Sequence, residues 1–171
     1  MDTASEWVLR WVPLIERGPV LDVACGGGRH AVLFAERGFE VFAVDRDEQV
    51  LPGSIHFVKA NLEDGSPWPF EGRKFAAIVV TNYLHRPLFP ILLSSLDRGG
   101  VLVYETFMAG NERYGRPSNP HFLLRPDELL DAFRPATVVA FEQGEVERPK
   151  RAVVQRICVI RERVGSVRID K

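Results

Sequence analysis

Between Thr3 and Arg17 the apolar residues fall at Trp7, Val8, Trp11, Val12 and Ile15, the spacing of one face of a helix. Thr3 and Glu6 stand as in a capping box, and Gly18-Pro19 stops the pattern. The next stretch, VLDVA at 20–24, is apolar around a single acid and predicts a buried strand running straight into Cys25, Gly26, Gly27 and Gly28. RHAVLFAER at 29–37 returns to helical spacing and closes at Gly38. FEVFAVD at 39–45 and IHFVKAN at 55–61 are apolar runs with a polar residue at the carboxyl end, the form of strands buried in a parallel sheet.

The alternation continues with strands at 75–82 (FAAIVVTN) and 99–107 (GGVLVYETF), joined through an apolar helix in LFPILLSSL that is expected to end at Gly99-Gly100. A long Gly-, Pro- and Asn-rich piece follows, Met108 to Leu124. Connections of that length are often functional, and a lid over a site is the expectation here. PDELLDAF at 126–133 has Pro at a helix start with acids behind it, and TVVAFEQGEV and RAVVQRICVIRE, joined by ERPK, predict a terminal antiparallel hairpin. Val164 to Lys171 shows no pattern and is expected to fray. Strands alternating with helices predict an α/β fold: a single doubly wound, mostly parallel seven-stranded sheet with a C-terminal antiparallel hairpin. Ligands of such sheets bind beyond the carboxyl ends of the strands.

Length and composition narrow the reading. The chain has 171 residues, one domain's worth, so residues 1–171 are expected to form a single domain with an N-terminal helix in 1–18. Acidic and basic residues number 23 and 22, a net charge of -1, which supplies no field drawing the chain to a polyanion. Nucleic acid is therefore an unexpected partner, although Arg148, Lys150 and Arg151 form a small basic group. No run approaches the ~18 apolar residues of a membrane span, and the N-terminus lacks the form of a secretory signal. Two cysteines, Cys25 and Cys158, and four scattered histidines give neither a disulfide framework nor a metal-binding spacing. A cytoplasmic location, no metal, and a monomer or homodimer are the expectations.

The densest chemistry lies in VLDVACGGGRHA at 20–31. Glycines there let a ligand approach the backbone at the start of a helix. The second strand ends at Asp45, where a carboxylate can accept the hydroxyls of a ribose. The third ends at Asn61-Leu62, an amide for an adenine edge beside an apolar residue for its face. Three successive strand ends thus describe an adenosine pocket. The fingerprint Gly26-x-Gly28-x-x-Ala31 also admits a nicotinamide dinucleotide. Asp22 before the turn, the short chain and the terminal hairpin disfavour that dinucleotide, since a nicotinamide enzyme would normally need a further substrate domain.

LDVACGGGRHA with Asp45, ANLEDG and FAAIVVTN resembles the class I S-adenosylmethionine (SAM) dependent methyltransferases over roughly Leu14 to Phe107, and among them the small bacterial methyltransferases of the tellurite-resistance type, so the resemblance implies SAM rather than a nicotinamide dinucleotide as cofactor. The resemblance implies that Asp22, Ala24, Gly26 and Gly28 hold the methionine part of the cofactor, that Asp45 binds the ribose, that Asn61 and Leu62 bind adenine, and that Thr81, Asn82 and Tyr83 face the methyl group and substrate. It also implies methyl transfer to a small-molecule acceptor. A SAM-binding module without turnover, regulating or scaffolding a partner, is the alternative. Base methylation is disfavoured because strand four ends TNYLHRP, without the Asn/Asp-Pro-Pro-aromatic signature.

Two positions depart from the family pattern: Ala24 where many members have glycine, and Asn61 where many have aspartate. The ten residues between Val44 and Ile55 leave room for about one turn of helix where a parallel crossover usually takes a dozen or more residues. One flank of the adenine site is then expected to be exposed. Tyr83, His85 and Glu105 are the candidate catalytic residues, with Glu105 able to line the pocket or to pair with Arg113 or Arg116. Tyr83, Glu105, Tyr114, Arg116 and His121 are the candidate substrate contacts. Trp7 and Trp11 read as core rather than as a flap, and Cys25 as a packed residue rather than a nucleophile.

Overall fold

The computed structural model describes residues 2–170; the outer limits of the expected domain and of the C-terminal tail, Met1 and Lys171, lie outside them. Helix α1 (Glu6–Trp11) opens the chain, shorter than the apolar spacing suggested. Its N-cap is Ser5 rather than Thr3, because the Ser5 hydroxyl accepts from Trp7 N. A 3-10 turn over Val12–Leu14 ends it at Pro13. Strand β1 (Val20–Val23), helix α2 (Arg29–Glu36), β2 (Val41–Asp45), β3 (Ile55–Lys59) and β4 (Phe75–Thr81) follow. Then come α3 (Phe89–Ser94), β5 (Leu96–Phe107), α4 (Glu128–Phe133), β6 (Thr137–Val146) and β7 (Ala152–Ile160).

The strands form one sheet of seven in the order β3-β2-β1-β4-β5-β7-β6. The first five are parallel, and β7 runs antiparallel to both β5 and β6. Chain order reverses between β1 and β4, so the crevice outside their carboxyl ends is a topological switch point.

Alternation along the buried strands feeds two separate cores. Leu21, Val23, Ile78, Val80 and Leu102 pack with Phe89 and Leu92 of α3 and Leu129 and Phe133 of α4. Val20, Ala43, Val79 and Val103 point the other way, against Trp7 and Trp11 of α1 and Ala31 and Phe34 of α2. Burying a side chain such as Phe34, which has no exposed surface, contributes about 1.5 to 3 kcal/mol. The two tryptophans meet edge to face at 5.6 Å, and both are core residues.

Two further expectations fail here. Gly99 and Gly100 do not cap a helix. They lie inside β5, where a Cβ on Gly100 would stand 2.9 Å from the carbonyls of Asp97 and Phe75, so backbone crowding sets glycine there. The β2–β3 connection contains no helix at all. The C-terminal tail forms no regular element, yet Val167 packs against the α1/α2 core.

Candidate functional site

The site is built at the carboxyl ends of β1 to β5. After β1 the chain turns sharply: Ala24, Gly26 and Gly28 adopt φ of 53°, 50° and 78°, a left-handed region that glycine enters freely and alanine at a cost. A Cβ on Gly26 or Gly27 would meet nothing within 4 Å, so the turn presents bare backbone to open space. Gly28 faces the opposite condition, since a Cβ there would lie 2.4 Å from Leu51 Cδ2. Leu51 belongs to the helix-free β2–β3 connection, and its side chain packs on the Gly28 flank of the turn.

Asp22 and Asp45 both tie this turn down. Gly28, at the N-cap of α2, has no side chain to accept an orphan N–H. Asp22, on the α2 side of β1, supplies the acceptor: its Oδ2 takes Ala31 N at 3.0 Å. The carboxyl is 1 % exposed, and burial pushes its pKa up to about 7 against the lowering effect of that bond and of Arg29. Asp45 Oδ2 accepts from Gly26 N at 2.8 Å and Oδ1 from Asp47 N at 3.0 Å. Each oxygen keeps a lone pair, and the group lines a cleft of about 230 Å³ with Ala24, Arg46, Asn61, Leu62 and Tyr83. Asn61 spends one lone pair of its amide oxygen on Glu63 N (2.9 Å), leaving its two N–H donors unspent.

Two further cavities adjoin this cleft. One of about 580 Å³ runs along the glycine turn past Ala24, Cys25, Gly26, Thr81 and Asn82 and is bounded by Asp2 and Arg29. Another of about 250 Å³ lies beyond Asn82 and Tyr83, walled by Leu84, Phe107, Pro117 and Phe122, with Glu63 at its edge. Ala24 is shared by the first two, Asn82 by the last two, and Tyr83 and Glu63 by the first and third. The three form one groove across the ends of β1 to β5.

The N-terminal segment is strapped beside this groove. Ser5 N donates to His30 Nε2 at 3.0 Å and Ser5 Oγ to Glu105 Oε1 at 2.7 Å. Arg29 reaches the carbonyl of Thr3 at 3.0 Å. His30 is 2 % exposed, and burial, with Arg29 beside it, lowers its pKa to about 4, so it is a neutral acceptor. Glu105 also accepts from Arg156 at 3.0 Å, and Arg156 continues to Glu142 at 2.8 Å. Glu105 thus pairs with Arg156 rather than with Arg113 or Arg116, and its carboxylate anchors the strap instead of lining the groove.

The remaining candidates separate into two groups. Tyr83 and His85 converge on Glu63: His85 Nδ1 lies 3.6 Å from its carboxylate, and burial together with that carboxylate pushes the Tyr83 phenol pKa up. Tyr104 donates to the Tyr83 carbonyl at 2.7 Å and fixes this corner. Tyr114 turns away from the groove and donates to Glu145 on β6 (2.8 Å), beneath the guanidinium groups of Arg113 and Arg151. Arg116 and His121 do not line the groove; the carbonyl of His121 accepts from Arg86, which also forms a two-pronged pair with Glu128 at 2.6 and 3.0 Å. That pair and buried Asn111, bonded to Pro117 O and Val153 N, hold the 108–124 segment so that Pro117 and Phe122 reach the groove. Cys25 and Cys158 are free and buried, each thiol raised to about 12 by burial. Among the described residues no group of three metal-ligating side chains occurs.

Sequence reasoning passed over Arg29, Asp2 and Glu63. Arg29 follows the glycine turn directly and Glu63 follows Leu62, so both were within reach of the motif. Asp2 reaches the groove only because Ser5 docks on His30 and Glu105, which no local pattern shows.

Comparison with known proteins places this architecture. Residues 2–138 match the family model described as a methyltransferase domain. TehB from Haemophilus influenzae superposes with a TM-score of 0.75 at 14% identity, over 94% of this chain and 63% of that one. The 1,6-didemethyltoxoflavin-N1-methyltransferase of Burkholderia thailandensis, solved with S-adenosylhomocysteine, gives 0.66 at 18% identity, over 92% of this chain and 76% of that one. In sequence, YqeM of Bacillus subtilis (strain 168) is 40% identical over 50 residues, which are 29% of this chain and 19% of that protein. The chain therefore spans less than two thirds of either TehB or YqeM. The superpositions establish the fold, and the family match over most of the chain, on the glycine turn and strand ends just described, establishes the lineage: the chain belongs to the methyltransferase domain family.

Proposed function

We propose that the chain is a SAM-dependent methyltransferase acting on a small-molecule acceptor. The observation that carries this reading is the continuous groove over β1 to β4 in which Asp45, bonded to Gly26 N, joins the ribose end to the bare glycine turn. The residues fit the cofactor. Asp45 has lone pairs for two ribose hydroxyls, Asn61 has amide donors for an adenine edge, and Leu62 and Tyr83 bound the adenine cleft. Gly26 and Gly27 leave space where any side chain would intrude. Arg29 and Asp2 set a cation and an anion beside the glycine turn, where they would hold the amino-acid zwitterion of the cofactor.

SAM, when bound, would supply a methyl group already activated by its sulfonium, which passes in line to an acceptor lone pair with the neutral thioether as leaving group. The protein's share is alignment and exclusion of water. Asp22 acts indirectly, holding the glycine turn through Ala31 N. Thr81, Asn82 and Tyr83 present the end of β4 between the cofactor groove and the third cavity. The 108–124 segment serves as the lid, with Phe122 as its contribution. Two free cysteines suit a reducing, cytoplasmic setting.

The test is turnover. Incubated with SAM and a panel of small amines, phenols and thiols, the protein should release S-adenosylhomocysteine above the acceptor-free blank with at least one class, and Asp45→Ala should abolish it. Binding of S-adenosylhomocysteine without turnover on any acceptor would favour the non-catalytic module.

A further inference from the structure

The third cavity carries a chemical signature of its own. Its walls are Tyr83, Leu84, Phe107, Pro117 and Phe122, and Glu63 is the single charged residue lining it. Phe122 is 52% exposed, a large apolar side chain kept at the surface where it borders the cavity. Glu63 is half-exposed, with His85 Nδ1 at 3.6 Å as its neighbour. The Lys150 ammonium stands 5.8 Å from the Phe107 ring centroid but does not line the cavity. A carboxylate among aromatic faces attracts a cation twice, through charge and through the ring quadrupoles. An anion meets like charge in the same place, and like-charge juxtaposition is what excludes wrong partners.

Resting on the methyltransferase reading, we propose that this cavity is the acceptor subsite and that Glu63 makes it select a flat, apolar molecule carrying a protonated amine over its carboxylate counterpart. Glu63 acts in recognition, not in the displacement. The aromatic walls take the flat body, and the Glu63 carboxylate takes the ammonium at the rim shared with the adenine cleft.

The experiment is calorimetric titration of protein saturated with S-adenosylhomocysteine, using tryptamine, 3-ethylindole and indole-3-acetate as probes of one scaffold and three charges. Tryptamine is expected to bind at least fivefold more tightly than indole-3-acetate, with 3-ethylindole between them. In Glu63→Gln the ratio should fall below twofold, and Phe122→Ala should weaken all three probes while keeping their order. Both side chains are exposed, so both variants should fold, and a thermal melt verifies it. Equal binding, preference for the acid, a ratio unchanged in Glu63→Gln, or no binding of any probe to the saturated protein would overturn the proposal while leaving the cofactor reading intact. Failure of S-adenosylhomocysteine itself to bind would overturn the methyltransferase reading and this inference with it.

Discussion

Ser5 and His30, 25 residues apart, meet through a backbone N–H donated to imidazole Nε2 at 3.0 Å, and the Ser5 hydroxyl reaches Glu105, 100 residues away, at 2.7 Å. One serine therefore caps α1, docks the N-terminus on α2 and ties it to the end of β5.

Removing that hydroxyl should have a measurable cost. Ser5→Ala loses the cap to Trp7 N, about 0.5 to 2 kcal/mol, and one hydrogen bond to a carboxylate. We expect destabilisation of about 1 to 3 kcal/mol in urea unfolding. An unchanged midpoint would mean that the strap contributes nothing to the fold.

Two buried groups give opposite pH dependences. Asp22 has its folded pKa raised from 3.8 to about 7, so the folded state holds a proton that the unfolded chain releases, and stability falls as pH rises from about 4 to 7. His30 is lowered from 6.5 to about 4. Its contribution is complete above pH 6.5 and is lost as pH falls toward 4, where protonation removes the acceptor for Ser5 N. Asp22→Asn keeps an oxygen for Ala31 N while abolishing the first effect. The stability difference between this variant and the parent should therefore grow in the variant's favour from pH 5 to pH 7; a flat difference in denaturant titrations would contradict the raised pKa.

Ala24 holds φ 53°, in the left-handed region. Left-handed backbone costs a non-glycine residue about 1 to 2 kcal/mol, offset in part by the entropy that glycine adds to the unfolded chain. Ala24→Gly should raise stability by about 0.5 to 1 kcal/mol. A lower midpoint on thermal unfolding would show that the alanine is not strained.

Much of the fold was legible because the parallel strands read as apolar runs closed by a polar residue, and β1, β2 and β4 are buried along nearly their whole length. The glycine turn, Asp45 and Asn61-Leu62 were legible for the same reason, each standing at the end of such a run. The limits of α1 were not, because Ser5 owes its place as cap to His30 and Glu105, distant in sequence. Gly99-Gly100 resembled a helix end, since part of the crowding that demands glycine at 100 comes from the Phe75 carbonyl on the neighbouring strand, a tertiary contact. Glu105 looked like a pocket residue at a strand end until Arg156, across the antiparallel β5–β7 pair, claimed it. Leu51 was invisible for a related reason: a loop leucine gains meaning only beside Gly28.

The cofactor groove is the centre of the account, and calorimetric titration with S-adenosylhomocysteine, run beside NADH and repeated on Asp45→Ala, tests it most directly. Saturable binding of S-adenosylhomocysteine, none of NADH, and loss of at least tenfold in affinity in a folded Asp45→Ala variant are the expected results. Failure of the folded parent protein to bind S-adenosylhomocysteine, or binding that Asp45→Ala leaves unchanged, would contradict it.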